Sequence, residues 1–95
     1  MIKKIQCVCG SGLGSSFLVE MNVKKALTKF GVSDIEVSHS AATDVYKGAA
    51  DLFVCGKDMY DILNPYGPCL VLTNIISASE LEEKLEAYLK QEGVL

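Results

Sequence analysis

Four short apolar runs, Lys3–Cys9, Asp34–His39, Leu52–Cys55 and Cys69–Thr73, alternate with segments of helical or turn character, and this alternation governs what the chain can become. Runs of that length and composition read as strands. Lys3–Cys9 carries Ile5, Cys7, Val8 and Cys9, as a central parallel strand covered on both faces does. Asp34–His39 sets Ile35 and Val37 against Glu36 and Ser38, the two-residue period of an edge strand with one wet face. From Ser16 to Phe30, Val19, Val23, Leu27 and Phe30 recur at helical spacing, with Lys24, Lys25 and Lys29 towards the end and Gly31 beyond. Ala41–Lys47 reads as a short helix, and Asp58–Leu63 as one or two helical turns before the turn at Asn64–Pro68. Ser77 and Glu80 form a capping box for a terminal helix ending near Gly93, with Glu80/Lys84 and Glu86/Lys90 spaced to pair along it.

The order is therefore β-α-β-α-β-α-β-α, and its short connections make neighbouring strands parallel beneath right-handed crossovers. Ninety-five residues close one core, so residues 1–95 form a single α/β domain in this reading. The expected architecture is a three-layer open sheet of four parallel strands, order 2-1-3-4, flanked by helices. Its topological switch point falls between strands one and three, which directs a ligand to the C-terminal end of strand one.

Composition narrows the function. Nine basic residues against twelve acidic ones leave a formal charge of −3, so no basic field attracts a nucleic acid. All nine are Lys; there is no Arg to grip phosphate in bidentate fashion. The longest apolar stretches, such as Cys69–Leu72, fall far short of the ~20 residues of a membrane span. Gln6 and Gly10 interrupt the apolar run behind Lys3 and Lys4 before it becomes a signal-peptide core, so a cytoplasmic location is expected. Reduced thiols are expected of Cys7, Cys9, Cys55 and Cys69 in that setting. With no C-x-x-C and one His, neither a metal nor another cofactor is expected.

At the favoured end of strand one stands Cys9-Gly10-Ser11-Gly12-Leu13-Gly14-Ser15-Ser16. Three glycines let backbone N–H groups turn towards one anion, and the helix starting near Ser15 or Ser16 adds its positive end. A thiol at the mouth of such a phosphate cradle is drawn towards thiolate, the attacking form, which makes Cys9 the candidate nucleophile. The nucleotide P-loop needs Gly-Lys before its hydroxyl residue, whereas Gly14 is followed directly by Ser15. Gly10, Gly12 and Gly14 with Glu36 approximate a dinucleotide fingerprint, but four strands offer half the surface that a dinucleotide needs. The loop resembles that of low-molecular-weight tyrosine phosphatases, whose fold the expected architecture also resembles. In those enzymes an Arg stands at the sixth place after the Cys-led start, and here that place is Ser15. Without that cation, hydrolysis loses a main source of charge stabilisation; a carrier that accepts a phosphoryl group and passes it on does not need it.

On these residues the chain resembles the IIB components of the phosphoenolpyruvate-dependent sugar phosphotransferase system, within the lactose/cellobiose-IIB-like superfamily. It is most similar to the ascorbate-specific and galactitol-like branch. Val45-Tyr46-Lys47, Ala50-Asp51 and Thr73-Asn74-Ile75-Ile76-Ser77 also resemble that branch. The resemblance implies that Cys9 accepts a phosphoryl group from a phosphohistidine of a IIA partner. It also implies delivery to a sugar or ascorbate held by the membrane IIC transporter. Gly10 to Ser16 would hold the phosphoryl oxygens. A small cysteine phosphatase and a non-catalytic anion-binding or redox module are the competing readings.

Other residues have plainer readings. Cys7 shares the sheet face of Cys9 and is expected in the core, like Cys55 and Cys69. His39 is expected as a solvated histidine ending strand two. Asp58 and Asp61 are read as complementing a helix start rather than as general acids. Met59, Tyr60, Tyr66 and Leu13 are expected to form a partly apolar docking rim around the loop.

Overall fold

The computed structural model describes the backbone of residues 2–9 and 13–95 and the side chains of 2–8 and 16–95. Four strands, β1 (Lys4–Cys9), β2 (Glu36–Ala41), β3 (Leu52–Gly56) and β4 (Cys69–Leu72), form one sheet in the order β2-β1-β3-β4. Every ladder is parallel. The expected architecture is the observed one.

Alternation along each strand divides the core between two faces. Ile5 and Cys7 of β1, Leu52 and Val54 of β3, and Leu70 and Leu72 of β4 face two long helices, α1 (Leu13–Phe30) and α3 (Ala78–Gln91). These helices bring Val19, Val23, Leu27, Leu81, Leu85 and Leu89 into the same cluster. Val8, Phe53 and Cys55 point the other way, onto Ala49, Met59 and Leu63. All five residues of β3 are buried, so its unbroken apolar run reflects cover on both faces.

Several boundaries differ from the sequence expectation, each for a physical reason. α1 begins at Leu13, so Leu13, Gly14 and Ser15 form its first turn rather than a loop. β2 runs Glu36–Ala41, two residues beyond the expected segment, because it pairs with the whole of β1 from Lys4↔Glu36 to Cys9↔Ala41. The chain needs Gly31–Ile35 to leave α1: Gly31 takes φ 77°, and Val32 N–H returns to Leu27 O at 2.9 Å, a left-handed helix stop. The expected second helix shrinks to a 3-10 turn at Ala42–Asp44, since Val45 is already extended. One α-helical turn, α2 (Tyr60–Leu63), lies between 3-10 turns at Lys57–Met59 and Asn64–Tyr66.

α3 opens as expected in only half of its cap. Ser77 Oγ accepts the Glu80 N–H at 3.2 Å, but the Glu80 carboxylate does not return to Ser77. It reaches back along the chain instead, accepting the N–H groups of Thr73 at 2.6 Å and Asn74 at 2.9 Å, while Lys84 pairs with it at 2.8 Å. This secures the connection that leaves the C-terminal end of β4.

Candidate functional site

The β1–β2 ladder continues to Cys9↔Ala41, whereas the β1–β3 ladder stops at Cys7↔Val54 although β3 runs on to Gly56. Ladder pairing between β1 and β3 thus ends at the C-terminal rim, where the chain order reverses about β1. An open α/β sheet offers its ligand crevice at such a point. Cys9 is the last residue of β1, and α1 starts four positions later. The first-turn N–H groups of an α-helix lack intrahelical partners and carry partial positive charge. No acid occupies the first turn of α1 to compete with an anion there.

Of the candidate residues, Gly10, Ser11 and Gly12 lie outside the described residues, as do the side chains of Cys9, Leu13 and Ser15. The backbone of Leu13, Gly14, Ser15 and Ser16 forms the helix start, and the Ser16 side chain is buried. The expected start near Ser15 or Ser16 therefore moves back to Leu13, placing the helix end nearer Cys9 in sequence.

The other strands complete the rim. Gly56 ends β3 without a side chain because a Cβ there would stand 2.9 Å from Asp58 Oδ1 and 3.2 Å from Ile75 Cγ2. Asp58 and Asp61 fall in the first turns of their short helices and are exposed. Tyr60 is also exposed. Two rim expectations are corrected. Met59 is buried against the second core cluster, under the rim rather than on it. Tyr66 precedes Gly67, Pro68 and Cys69, so it stands where the chain enters β4, at the end of the parallel sheet opposite Cys9.

The other three cysteines lie in the sheet. Burial pushes the Cys7 thiol far above its ordinary range, and pushes the Cys55 thiol up to about 12. Burial also raises the Cys69 thiol, partly offset by a hydrogen bond from Cys55. Such thiols stay protonated and inert at neutral pH.

His39 departs from its expected place. It lies inside β2, opposite Cys7, rather than at the strand end. His39 Nδ1 donates to Glu20 Oε1 at 2.5 Å, and Lys24 Nζ donates to Glu20 Oε2 at 2.9 Å. The Glu20 side chain is only 10% exposed. Burial pushes its carboxyl up, but the bonds from His39 and Lys24 outweigh this and hold it below its ordinary value. The His39 ring packs against that of Phe17 of α1 in a T-shaped contact, with centroids 5.6 Å apart. Sequence reasoning missed Glu20, Phe17, Leu18 and Met21. For Phe17, Leu18 and Met21 the signal was a second group of apolar residues on α1, on the side away from Val19 and Val23; nothing in the local pattern marked the buried Glu20.

No helix among the described residues is long and apolar enough to cross a membrane. A family model described as the phosphotransferase-system lactose/cellobiose-specific IIB subunit matches residues 4–90. No curated protein matches the chain significantly. Among solved structures, the solution structure of a low molecular weight protein tyrosine phosphatase from Bacillus subtilis is similar at a TM-score of 0.63 and 15% identity. That alignment covers 95% of this chain and 99% of the phosphatase, and it establishes a shared fold.

Proposed function

The chain belongs to the lactose/cellobiose-specific IIB family of the phosphotransferase system, and from that premise we propose that it is a cytoplasmic phosphoryl carrier working through Cys9. IIB components generally act between a IIA protein and a IIC transporter. In the proposed first step, the Cys9 thiolate attacks phosphorus in line. An S–P bond forms as the N–P bond of the IIA phosphohistidine breaks, and the departing imidazole nitrogen keeps the electron pair. N–H groups from Gly10 to Ser16 hold the three equatorial oxygens. In the second step, a hydroxyl of the IIC-bound substrate attacks phosphorus, loses its proton, and expels the Cys9 thiolate.

One observation supports this most: Cys9 ends β1 at the switch point, four residues before the N-terminus of α1, where the β1–β3 ladder has already stopped. The absence of Arg supports transfer over hydrolysis, since no guanidinium stabilises attack by water. The stretches at Val45-Tyr46-Lys47, Ala50-Asp51 and Thr73–Ser77 resemble the ascorbate and galactitol-like branch, and the acceptor proposed is a sugar or ascorbate, selected by the IIC transporter that holds it.

The test is incubation with phosphoenolpyruvate, the general phosphotransferase proteins and a IIA protein, followed by mass spectrometry. One added phosphoryl group that Cys9→Ser abolishes supports the carrier; no addition contradicts it. The shared phosphatase fold favours one alternative, a cysteine phosphatase. Release of inorganic phosphate from an aryl phosphate, lost in Cys9→Ser, would establish that reading instead.

A further inference from the structure

Asp58 parts from the segment that carries it. Met59 and Leu63, which follow it, pack onto the second core face with Val8, Phe53 and Cys55. The Asp58 carboxylate turns back over the end of β3 instead: its Oδ1 lies 2.9 Å from the point that a Gly56 Cβ would occupy, beside Ile75 Cγ2 at 3.2 Å. Side chains alternate along a strand, so that point belongs to the face of Leu52 and Val54, which is the face of Cys7, α1 and α3. Ile75 packs on the same cluster.

Register fixes how near this is to the reacting residue. Cys7 pairs with Val54, and two residues further along each strand Cys9 and Gly56 end β1 and β3 level with one another. Neighbouring strands run about 4.8 Å apart while they pair, and pairing has stopped before this level. The carboxylate therefore stands on the wall of the crevice at β3, one opened strand spacing from Cys9. No fold contact occupies it there. Asp58 is exposed and makes no hydrogen bond or ion pair among the described residues, and no side-chain bond caps the 3-10 turn at Lys57–Met59. By contrast Asp51, just before β3, and Glu80, after β4, each accept two backbone N–H groups.

We propose that Asp58 is the proton acceptor of the second transfer, in which a substrate hydroxyl takes the phosphoryl group from Cys9; the inference rests on Cys9 being a carrier. The hydroxyl oxygen bonds to phosphorus as the S–P bond breaks, and the sulfur leaves with the electron pair. The hydroxyl proton passes to an Asp58 carboxylate oxygen, which then returns it to solvent. The first transfer needs no such base, because the attacking group is already a thiolate and the departing imidazole nitrogen has no proton to lose. Asp58 thus serves one half of the relay only, and the two halves can be measured apart.

The test charges the protein from phosphoenolpyruvate, the general phosphotransferase proteins and a lactose/cellobiose-type IIA protein, removes the donors, and adds glycerol as a hydroxyl probe. Mass spectrometry follows loss of the phosphoryl group, and the slope of that rate against glycerol concentration measures hydroxyl attack. Asp58→Asn is charged at a rate within about twofold of wild type, which also shows that it folds, while its glycerol slope falls about 100-fold. Asp58→Glu recovers part of the slope. Asp58→Ala loses it as Asp58→Asn does, and added formate restores part of it, which a carboxylate with a merely structural role would not allow. Asp61→Asn, in the first turn of α2, leaves both steps unchanged. A glycerol slope in Asp58→Asn that is within about threefold of wild type, or steeper, overturns the proposal. So does an equal loss of charging in Asp58→Asn, a wild-type slope of zero, or failure of both the glutamate variant and formate to restore transfer. Wild-type protein that takes up no phosphoryl group refutes the carrier itself and the proton acceptor with it. Normal wild-type charging with an unaffected slope in Asp58→Asn refutes the proton acceptor alone.

Discussion

Glu80 accepts the backbone N–H of Thr73 at 2.6 Å, from seven residues further along the chain. A side chain at the third position of α3 thereby ties the end of β4 to the helix that follows, where a capping box would have tied the helix only to itself. The hydrogen bond from Lys84, then those from the Thr73 and Asn74 amides, hold the Glu80 carboxyl down to about 2 from an ordinary 4.5.

That shift has a definite sign. A carboxyl whose folded value lies below its unfolded one stabilises the fold above the unfolded value and loses that contribution as pH falls through the folded one. The window here runs from 4.5 down to about 2. Circular dichroism of urea melts across this range will show wild-type protein losing more stability than Glu80→Gln. Parallel curves for the two proteins would show that the clamp contributes nothing.

Gly56 gives a steric prediction. Alanine there must displace Ile75 Cγ2 from 3.2 Å, as well as the more mobile Asp58 carboxylate. Gly56→Ala should destabilise by about 1–3 kcal/mol in denaturant melts, with part recovered in Gly56→Ala/Ile75→Ala. No change in the single variant would mean that the rim yields freely.

The core and surface should respond very differently. Leu85 is fully buried between α3 and the sheet, while Ile62 on α2 is half exposed. Leu85→Ala should cost about 2–5 kcal/mol with the denaturant slope unchanged. Ile62→Ala should stay within about 0.5 kcal/mol. Similar losses in both would contradict the layer assignment.

The main lines of this fold were legible because they follow from local patterns. Apolar continuity marked β1 as central, the Glu36/Ser38 alternation marked β2 as an edge, and Ser77 marked the start of α3. Features that depend on register or crowding were not legible. The two-residue displacement of β2 arises from pairing with the full length of β1, and it moves His39 from a strand end to a position opposite Cys7. The Glu20–His39 bond joins residues nineteen positions apart and exists only once α1 lies across that strand. Ala41–Lys47 has helical composition but is too short to sustain a helix once Val45 is extended. For the site, the Cys-Gly-Ser-Gly spacing pointed to the end of β1. Tyr66 misled because an aromatic residue in a connecting segment does not by itself reveal the end of the sheet on which it lies, and Met59 because its composition does not reveal whether it packs inward.

Carriage of a phosphoryl group by Cys9 requires its sulfur to react as a thiolate at neutral pH, and iodoacetamide alkylation followed by peptide mass spectrometry measures this directly. The other three thiols form a quiet background, since burial raises each of them. The predicted result is a Cys9 alkylation rate that is nearly constant from about pH 8 down to about pH 7, as for an activated cysteine. A rate that keeps rising about tenfold per pH unit up to about 8.5, as for an ordinary thiol, would contradict it.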